Sequence, residues 1–250
     1  MSKHICDEEF PWCTATASKG ELYKLRLKDL SPTQFALGRA EVEFRAAALQ
    51  KKYKSDPGRL HDYLRVRPVP IVIRENTFYL VDHHHLVRAL HDALHKSLGD
   101  EICVYVEVLT NISSLGHLYF WKQMYAHNWV YLFDHEGGGP QPPDKLPTHI
   151  RDMKFDPYRS LAWIVRDRYG YLKSDADFAE FRWADYFRTR ILLDSHILGG
   201  EYDIDGYLYA LNKDGEVVLT EEGKEVIDEA MFLATSPEAR GLPGFRGNRV

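Results

Sequence analysis

The segment that most limits how this chain can fold is Tyr79-Leu80-Val81-Asp82-His83-His84-His85-Leu86-Val87-Arg88-Ala89-Leu90. An apolar, β-prone run enters it, Asp82 and three histidines follow, and an amphipathic helical pattern begins. The chain is therefore expected to pass from a strand through a turn directly into a helix. At about 100° per residue, Leu86, Val87, Leu90, Leu94 and Leu98 share one broad face, the buried one. His84, Arg88, His91 and His95 line a separate stripe, and His85 points elsewhere, so helix geometry alone lets at most two of His83, His84 and His85 share a ligand. Asp82 falls close to the N-cap, where a carboxylate accepts hydrogen bonds from first-turn amides. A helix N-terminus also carries partial positive charge and unpaired N–H groups, which suit an anion and keep a nearby imidazole neutral. Capping needs only one polar residue, so three histidines at the same corner mark it as the candidate functional centre. His91 and His95 are expected on a solvated face.

Strands and helices interleave around this corner. Residues 69–73 and 78–81 are two β-prone runs separated by Glu75-Asn76, a hairpin pattern, and 102–109 is a third strand beyond the stop at Gly99-Asp100. Ser31-Pro32-Thr33-Gln34 has the composition of a helix start and predicts a helix over 35–53, ending before Asp56-Pro57-Gly58. Residues 1–20 read as a poorly patterned tail and 21–110 as a small α/β domain. Beyond them, 111–250 is a mostly helical region, so the expected class is α+β. Its helices are expected over 113–129, 160–169, 176–191 and 221–234, with Ser174 and Asp175 as N-cap candidates for the third. Gly137-Gly138-Gly139-Pro140 marks a loop, and Asn212-Lys213-Asp214-Gly215 a turn between apolar runs.

Composition narrows the partners. The 250 residues hold 32 Lys and Arg against 37 Asp and Glu, a formal charge of −5. A protein that coats duplex DNA draws its affinity from a basic surplus, so nucleic acid is not the partner this balance favours. The three cysteines are too few for a disulfide framework. Cys103, inside an apolar run, reads as a small core residue. Cys6 and Cys13 either pair, or bind a metal with His4, or lie reduced in the tail. No apolar h-region opens the chain and no stretch approaches 18 apolar residues, so a soluble, cytoplasmic protein without membrane contact is expected.

Other chemistry-bearing residues have structural explanations close at hand. Glu41 and Glu43 sit early in the expected 35–53 helix, where a glutamate is ordinarily solvated. Glu180, Arg182, Trp183 and Asp185 form a dense polar-aromatic segment in which Arg–carboxylate pairing is the simplest role, although Arg182 or Arg159 can also reach a phosphate. Asp134-His135-Glu136 has metal-ligand chemistry without helical spacing, and the triple glycine after it lacks the Lys-Ser/Thr of a P-loop. The aromatic stretch from Tyr119 to Tyr131 serves either a helical core or a partner interface.

Three stretches resemble the ParB/sulfiredoxin-like superfamily and, within it, the ParB-like nucleases. They are Pro32-Thr33-Gln34 with Gly38, Glu41 and Val42; Pro68-Val69-Pro70-Ile71-Val72 with Leu80-Val81-Asp82-His83-His84-His85; and Asp156-Pro157-Tyr158-Arg159-Ser160-Leu161 with Phe178 to Asp185. The resemblance implies a small α/β domain with a strand-to-helix phosphate-binding turn, followed here by the helical half. It implies a nucleotide (ATP or ADP) or another small phosphorylated ligand bound by Asp82, His83, His84, Arg88 and Arg182. A divalent cation, Mg²⁺, would be held by Asp82 and Glu41, with Glu41, His84 and His85 as catalytic candidates. His83 stands where the related kinase pattern, Asp-Gly-His-His, has glycine. The Gly-Gly-Cys-His-Arg motif of sulfiredoxins is absent, and no helix-turn-helix pattern is evident. The expected function is thus an enzyme that transfers or hydrolyses a phosphoryl group. The alternatives are a nuclease, a non-catalytic nucleotide- or metal-binding module that engages a partner protein, and a transition-metal enzyme using the histidines.

Overall fold

The computed structural model describes residues 6, 9–193 and 204–247. The chain divides into two compact units, Met1–Ala36 with Arg45–Lys154, and Leu37–Phe44 with Phe155–Val250. In chain order the first part runs β1 (Leu22–Arg26), β2 (Leu30–Pro32), the two-residue β3 (Ala36–Leu37), α1 (Arg39–Ser55), α2 (Pro57–Arg65), β4 (Val69–Arg74) and β5 (Thr77–Leu80). It continues through α3 (His84–Leu98), β6 (Cys103–Asn111), α4 (His117–Ala126) and the two-residue β7 (Lys154–Phe155). The remainder comprises α5 (Pro157–Asp167), α6 (Ala179–Arg188), α7 (Ile204–Leu208), β8 (Tyr209–Leu211), β9 (Val217–Leu219) and α8 (Glu221–Thr235). The class is α+β.

The first unit is built on a mixed five-stranded sheet of order β1-β6-β4-β5-β2. β4 and β5 form the expected antiparallel hairpin, with Ile71 opposite Leu80 and Glu75 at φ 55° in its turn. β6 lies parallel to β4, so the link through α3 is a crossover, and β2 lies parallel to β5 with Pro32 opposite Leu80. Ile71, Val72 and Ile73 are all buried, the pattern of a strand covered on both faces. Leu86, Val87, Ala89, Leu90, Ala93 and Leu94 form the buried face of α3, and Gly99 ends that helix at φ 57°.

In several places the structure departs from what local pattern suggests. Ser31 and Pro32 belong to β2, and α1 begins only at Arg39, because the polar run that looks like a helix start supplies the last sheet edge. Proline is tolerated there as an edge residue that owes the ladder no N–H. Asp56-Pro57-Gly58 does not merely end a helix. The Asp56 carboxylate accepts from the Gly58 amide and caps α2, a helix the apolar pattern left unmarked. Residues 9–20 are not a tail. Cys13 N–H donates to the Lys24 carbonyl, Lys24 N–H donates to the Pro11 carbonyl, and the Phe10 ring meets Tyr105 edge-on at 5.2 Å. Trp12 lies under two cations, Lys24 and Arg26, each 5.0 Å from its ring. Cys103 is joined to Cys6 by a disulfide spanning 97 residues, while buried Cys13 keeps a thiol whose pKa burial pushes up to about 11. His4 lies outside the described residues.

The second unit is helical, with a small β8–β9 hairpin turning at the expected 212–215 segment. Trp183 is fully buried, stacks on Tyr171 at 4.2 Å and donates its indole N–H to the Pro243 carbonyl. α6 starts at Ala179 after Phe178 in a left-handed conformation (φ 55°), without the side-chain cap expected from Ser174 or Asp175. Ser174 instead accepts from the Ala176 amide in the preceding turn. Among the described residues no helix is long and apolar enough to cross a membrane.

The disulfide makes a direct prediction. Unfolded oxidised protein should titrate one thiol and reduced protein three. Reduction should lower the unfolding free energy by about 2–4 kcal/mol in denaturant titrations. Three thiols before reduction would refute the bond.

Candidate functional site

The corner begins where β2 and β5 end side by side. Thr33 follows Pro32 and uses two groups there: its hydroxyl donates to the Leu80 carbonyl at 2.6 Å, and its amide donates to His84 Nε2 at 3.2 Å. Accepting a backbone N–H commits Nε2 to its unprotonated form and places the ring proton on Nδ1. His84 is only 3% exposed. Burial holds its pKa well below the usual 6.5, helped by neighbouring His85 and His83 and opposed by a hydrogen bond to the Leu80 backbone. His84 therefore lies inside the unit and works as a neutral tie between the end of β2, β5 and α3.

The two residues before it are differently placed. Asp82 is exposed (78% of its side chain), and its Oδ1 accepts from the His83 amide at 2.6 Å; it does not cap the first helical turn. His83 is itself the N-cap, at φ 67° and ψ 19°, and gives α3 no side-chain cap. That left-handed conformation accounts for the glycine in the related kinase pattern, since glycine adopts it without a Cβ penalty. His83 and His85 are half-buried at the mouth of the turn. The Arg88 guanidinium is engaged elsewhere. Its Nε meets both Asp92 oxygens at 3.0 Å, and its Nη1 donates to the Met153 carbonyl at 3.2 Å, pinning the 150–153 turn to α3.

Glu41 and Arg182 belong to the second unit. Glu41 is 4% exposed, and its Oε2 faces Arg159 Nη2 at 3.2 Å inside that unit, so it is not the solvated helix glutamate that its position suggested. Gly38 permits this packing, because a Cβ there would stand 2.9 Å from the Arg159 carbonyl oxygen. Ser160 Oγ, next to Arg159, accepts from the Ala40 amide at 3.3 Å. A second pair lies close by in sequence: buried Asp156 caps α5 through the Tyr158 amide and takes a 2.7 Å bond from the half-buried Arg188. Burial still raises the Asp156 carboxyl pKa against the pull of Arg188. Arg182 is exposed on α6, and Glu180 pairs with Arg166.

Thr33 as the partner of His84, and Arg159 as the partner of Glu41, are pairings that sequence reasoning did not assign. Both lie inside stretches that carry the family resemblance, which was the available signal. Among the other candidates, Asp134 closes its own loop by accepting from the Glu136 and Gly138 amides and from Gln141. On α4, Phe120 and Met124 are core while Leu118, Tyr119 and Tyr125 are exposed. Among the described residues no group of three or more His, Cys, Asp or Glu side chains is arranged to hold a metal.

Comparison with known proteins agrees with this architecture. The family described as "Putative ParB-like nuclease" matches residues 23–189. The chain belongs to that ParB-like family. Its structure is similar to the crystal structure of protein Atu1540 from Agrobacterium tumefaciens, with a TM-score of 0.67 and 33% sequence identity over 92% of this chain and 100% of that one. None of the curated proteins matches the chain.

Two stability predictions follow from the buried groups. In the unfolded chain His84 takes up a proton near pH 6.5, while the folded imidazole does not. Stability should therefore rise with pH up to that value and fall on acidification below it, by up to about 1.4 kcal/mol per pH unit from this one group. His84→Gln, compared by urea titration between pH 5 and 8, should lose that part of the slope; equal slopes would refute the assignment. For the ion pair, Glu41→Ala or Arg159→Ala should each cost about 3–5 kcal/mol by stranding a buried charge. Combining Glu41→Leu with Arg159→Met should recover most of that loss, and a Glu41→Ala protein as stable as wild type would refute a structural role.

Proposed function

We propose that the β5–α3 turn binds the phosphate of a small phosphorylated molecule or nucleotide, ATP or ADP included, and that the protein transfers or hydrolyses a phosphoryl group there. The observation that carries this reading is the start of α3. The first-turn amides of a helix have no intrahelical acceptors, and here the N-cap residue, His83, makes no side-chain cap bond to them. An exposed carboxylate and two half-buried imidazoles flank them. Amides and the positive end of the helix suit phosphate oxygens, and such chemistry needs positioning and charge stabilisation more than covalent help.

Asp82 has the donor chemistry for Mg²⁺, which is commonly held by one or two carboxylates together with substrate phosphates. When bound, such a cation neutralises charge on the phosphoryl oxygens. Glu41 does not fit the same role, because its carboxylate is buried against Arg159. The proton-handling side chains in this reading are His83 and His85, with His84 holding the corner in shape. Arg88 acts indirectly by fixing the 150–153 turn, and Arg182 has no assigned part. Nucleic-acid cleavage is the second reading and rests on the family description; the formal charge of −5 weighs against it.

Thermal-shift and phosphate-release assays with ATP and ADP, with and without Mg²⁺, test this directly. Ligand at a hundred times its Kd should stabilise the protein by about 2.7 kcal/mol. Asp82→Asn and His85→Ala should lower binding or turnover at least about tenfold, a loss of roughly 1.4 kcal/mol. If both variants match wild type, the turn is not the site. Cleavage of single-stranded or duplex nucleic acid without any response to nucleotides would favour the second reading.

A further inference from the structure

The far half of α3 borders a cavity separate from the β5–α3 turn. It measures about 250 Å³ and lies between the 27–29 turn, His91 and His95, the 99–102 turn and the 149–151 turn, all within the first unit. At about 1.5 Å rise per residue, His95 stands some 16 Å along the helix from His84. A ligand held here is therefore not the one held by the first-turn amides. The volume falls just below the ~300–1,000 Å³ typical of sites for drug-sized molecules, so the occupant is small.

The lining has two characters. Leu27, Ile102 and Ile150 are buried apolar residues and provide a hydrocarbon floor. Above them the rings of His91 and His95 stack at 4.7 Å and 20°, and His149 faces the same space. Four charged residues complete the rim, and their pairing decides the sign the cavity prefers. Lys28 and Asp100 offset each other at 3.2 Å. Among the described residues Arg151 meets the exposed Asp152, at 3.7 Å; like the equally exposed Lys28–Asp100 pair this is worth little, so either cation can take another partner. Neither His95 nor His149 has a side-chain hydrogen bond among the described residues. Against these donors stands one carboxylate, Asp29, without an ion pair among the described residues.

We propose that this cleft binds a small organic anion, a carboxylate or a phosphate monoester. Its apolar body lies on Leu27, Ile102 and Ile150, and its charged group meets Arg151 and the imidazole N–H groups of His95 and His149. Asp29 opposes the ligand charge and keeps the affinity modest. The geometry is that of a general small-molecule site, an apolar floor with a few convergent polar groups.

The test is histidine-resolved NMR of the full chain titrated with phenyl phosphate and with benzoate, and with benzylamine as the oppositely charged control. Saturable shifts at His91, His95 and His149 are expected with at least one of the two anions at millimolar concentration or below, and the tighter anion identifies the charged group. Arg151→Gln should weaken that binding about fivefold and Asp29→Asn should tighten it about two- to threefold, the scale of one charge at a hydrated rim. Both side chains are exposed, so neither substitution burdens folding. The inference fails if neither anion gives a saturable shift, if benzylamine binds more tightly, if shifts are confined to His83 and His85, or if both variants leave the affinity unchanged. Asp82→Asn separates the two sites: an intact cleft response in a variant that no longer binds nucleotide marks them as independent.

Discussion

Thr33 holds the corner on which the rest of the first unit depends. β2 ends at a proline opposite Leu80, so the ladder stops there, and the Leu80 carbonyl must find another partner inside the unit. The Thr33 hydroxyl supplies it, while the Thr33 amide finds His84 Nε2. Each group left unsatisfied would cost about 1–3 kcal/mol of desolvation, so the three residues specify one arrangement. That arrangement sets where α3 begins, and hence that His83 takes the left-handed position and that Asp82 faces solvent. The buried histidine is the structural member of the cluster. Its neighbours His83 and His85 stay partly exposed.

The carboxylates divide in the same way. Asp82 is hydrated and keeps its lone pairs accessible, whereas Glu41 and Asp156 are buried with arginine partners inside the second unit. Removing two charges from water is costly, and their attraction repays it only when both stay in place. Such pairs therefore fix how α1 and α5, or α5 and α6, pack within that unit. They are poor candidates for binding a cation, which needs oxygen atoms not already neutralised. The family match leaves the chemistry open; the exposure of each carboxylate is what narrows it.

Much of the first unit could be read from periodicity. The β4–β5 hairpin, the buried face of α3 and the stop at Gly99 all follow from local pattern, because each is enforced by residues a few positions apart. The misreadings share a cause as well. Ser31-Pro32-Thr33-Gln34 has helix-start composition but is claimed by a strand pairing with Phe78 to Leu80, a partner more than forty residues away. Residues 9–20 lack a pattern of their own and are ordered by Lys24 and Tyr105. Phe178, in a left-handed conformation, takes the N-cap position of α6 in place of the polar Ser174 and Asp175, and Phe181, Trp183 and Phe187 of that helix are buried. The angle of His84 around the helix puts it in line with Arg88, His91 and His95, yet Thr33, just past β2, meets its ring and the position is buried.

The sequence by itself determined the class of the protein, the strand-to-helix corner, the candidate residues around it and the family they resemble, since all of these are carried by composition and short-range spacing. Only the tertiary structure decided which histidine is buried and neutral, which carboxylate is spent on an arginine, and that Cys6 meets Cys103. Those outcomes depend on desolvation and on partners distant in the chain. The energy of a charged or polar group is set by what surrounds it in space, and a linear pattern does not specify that environment.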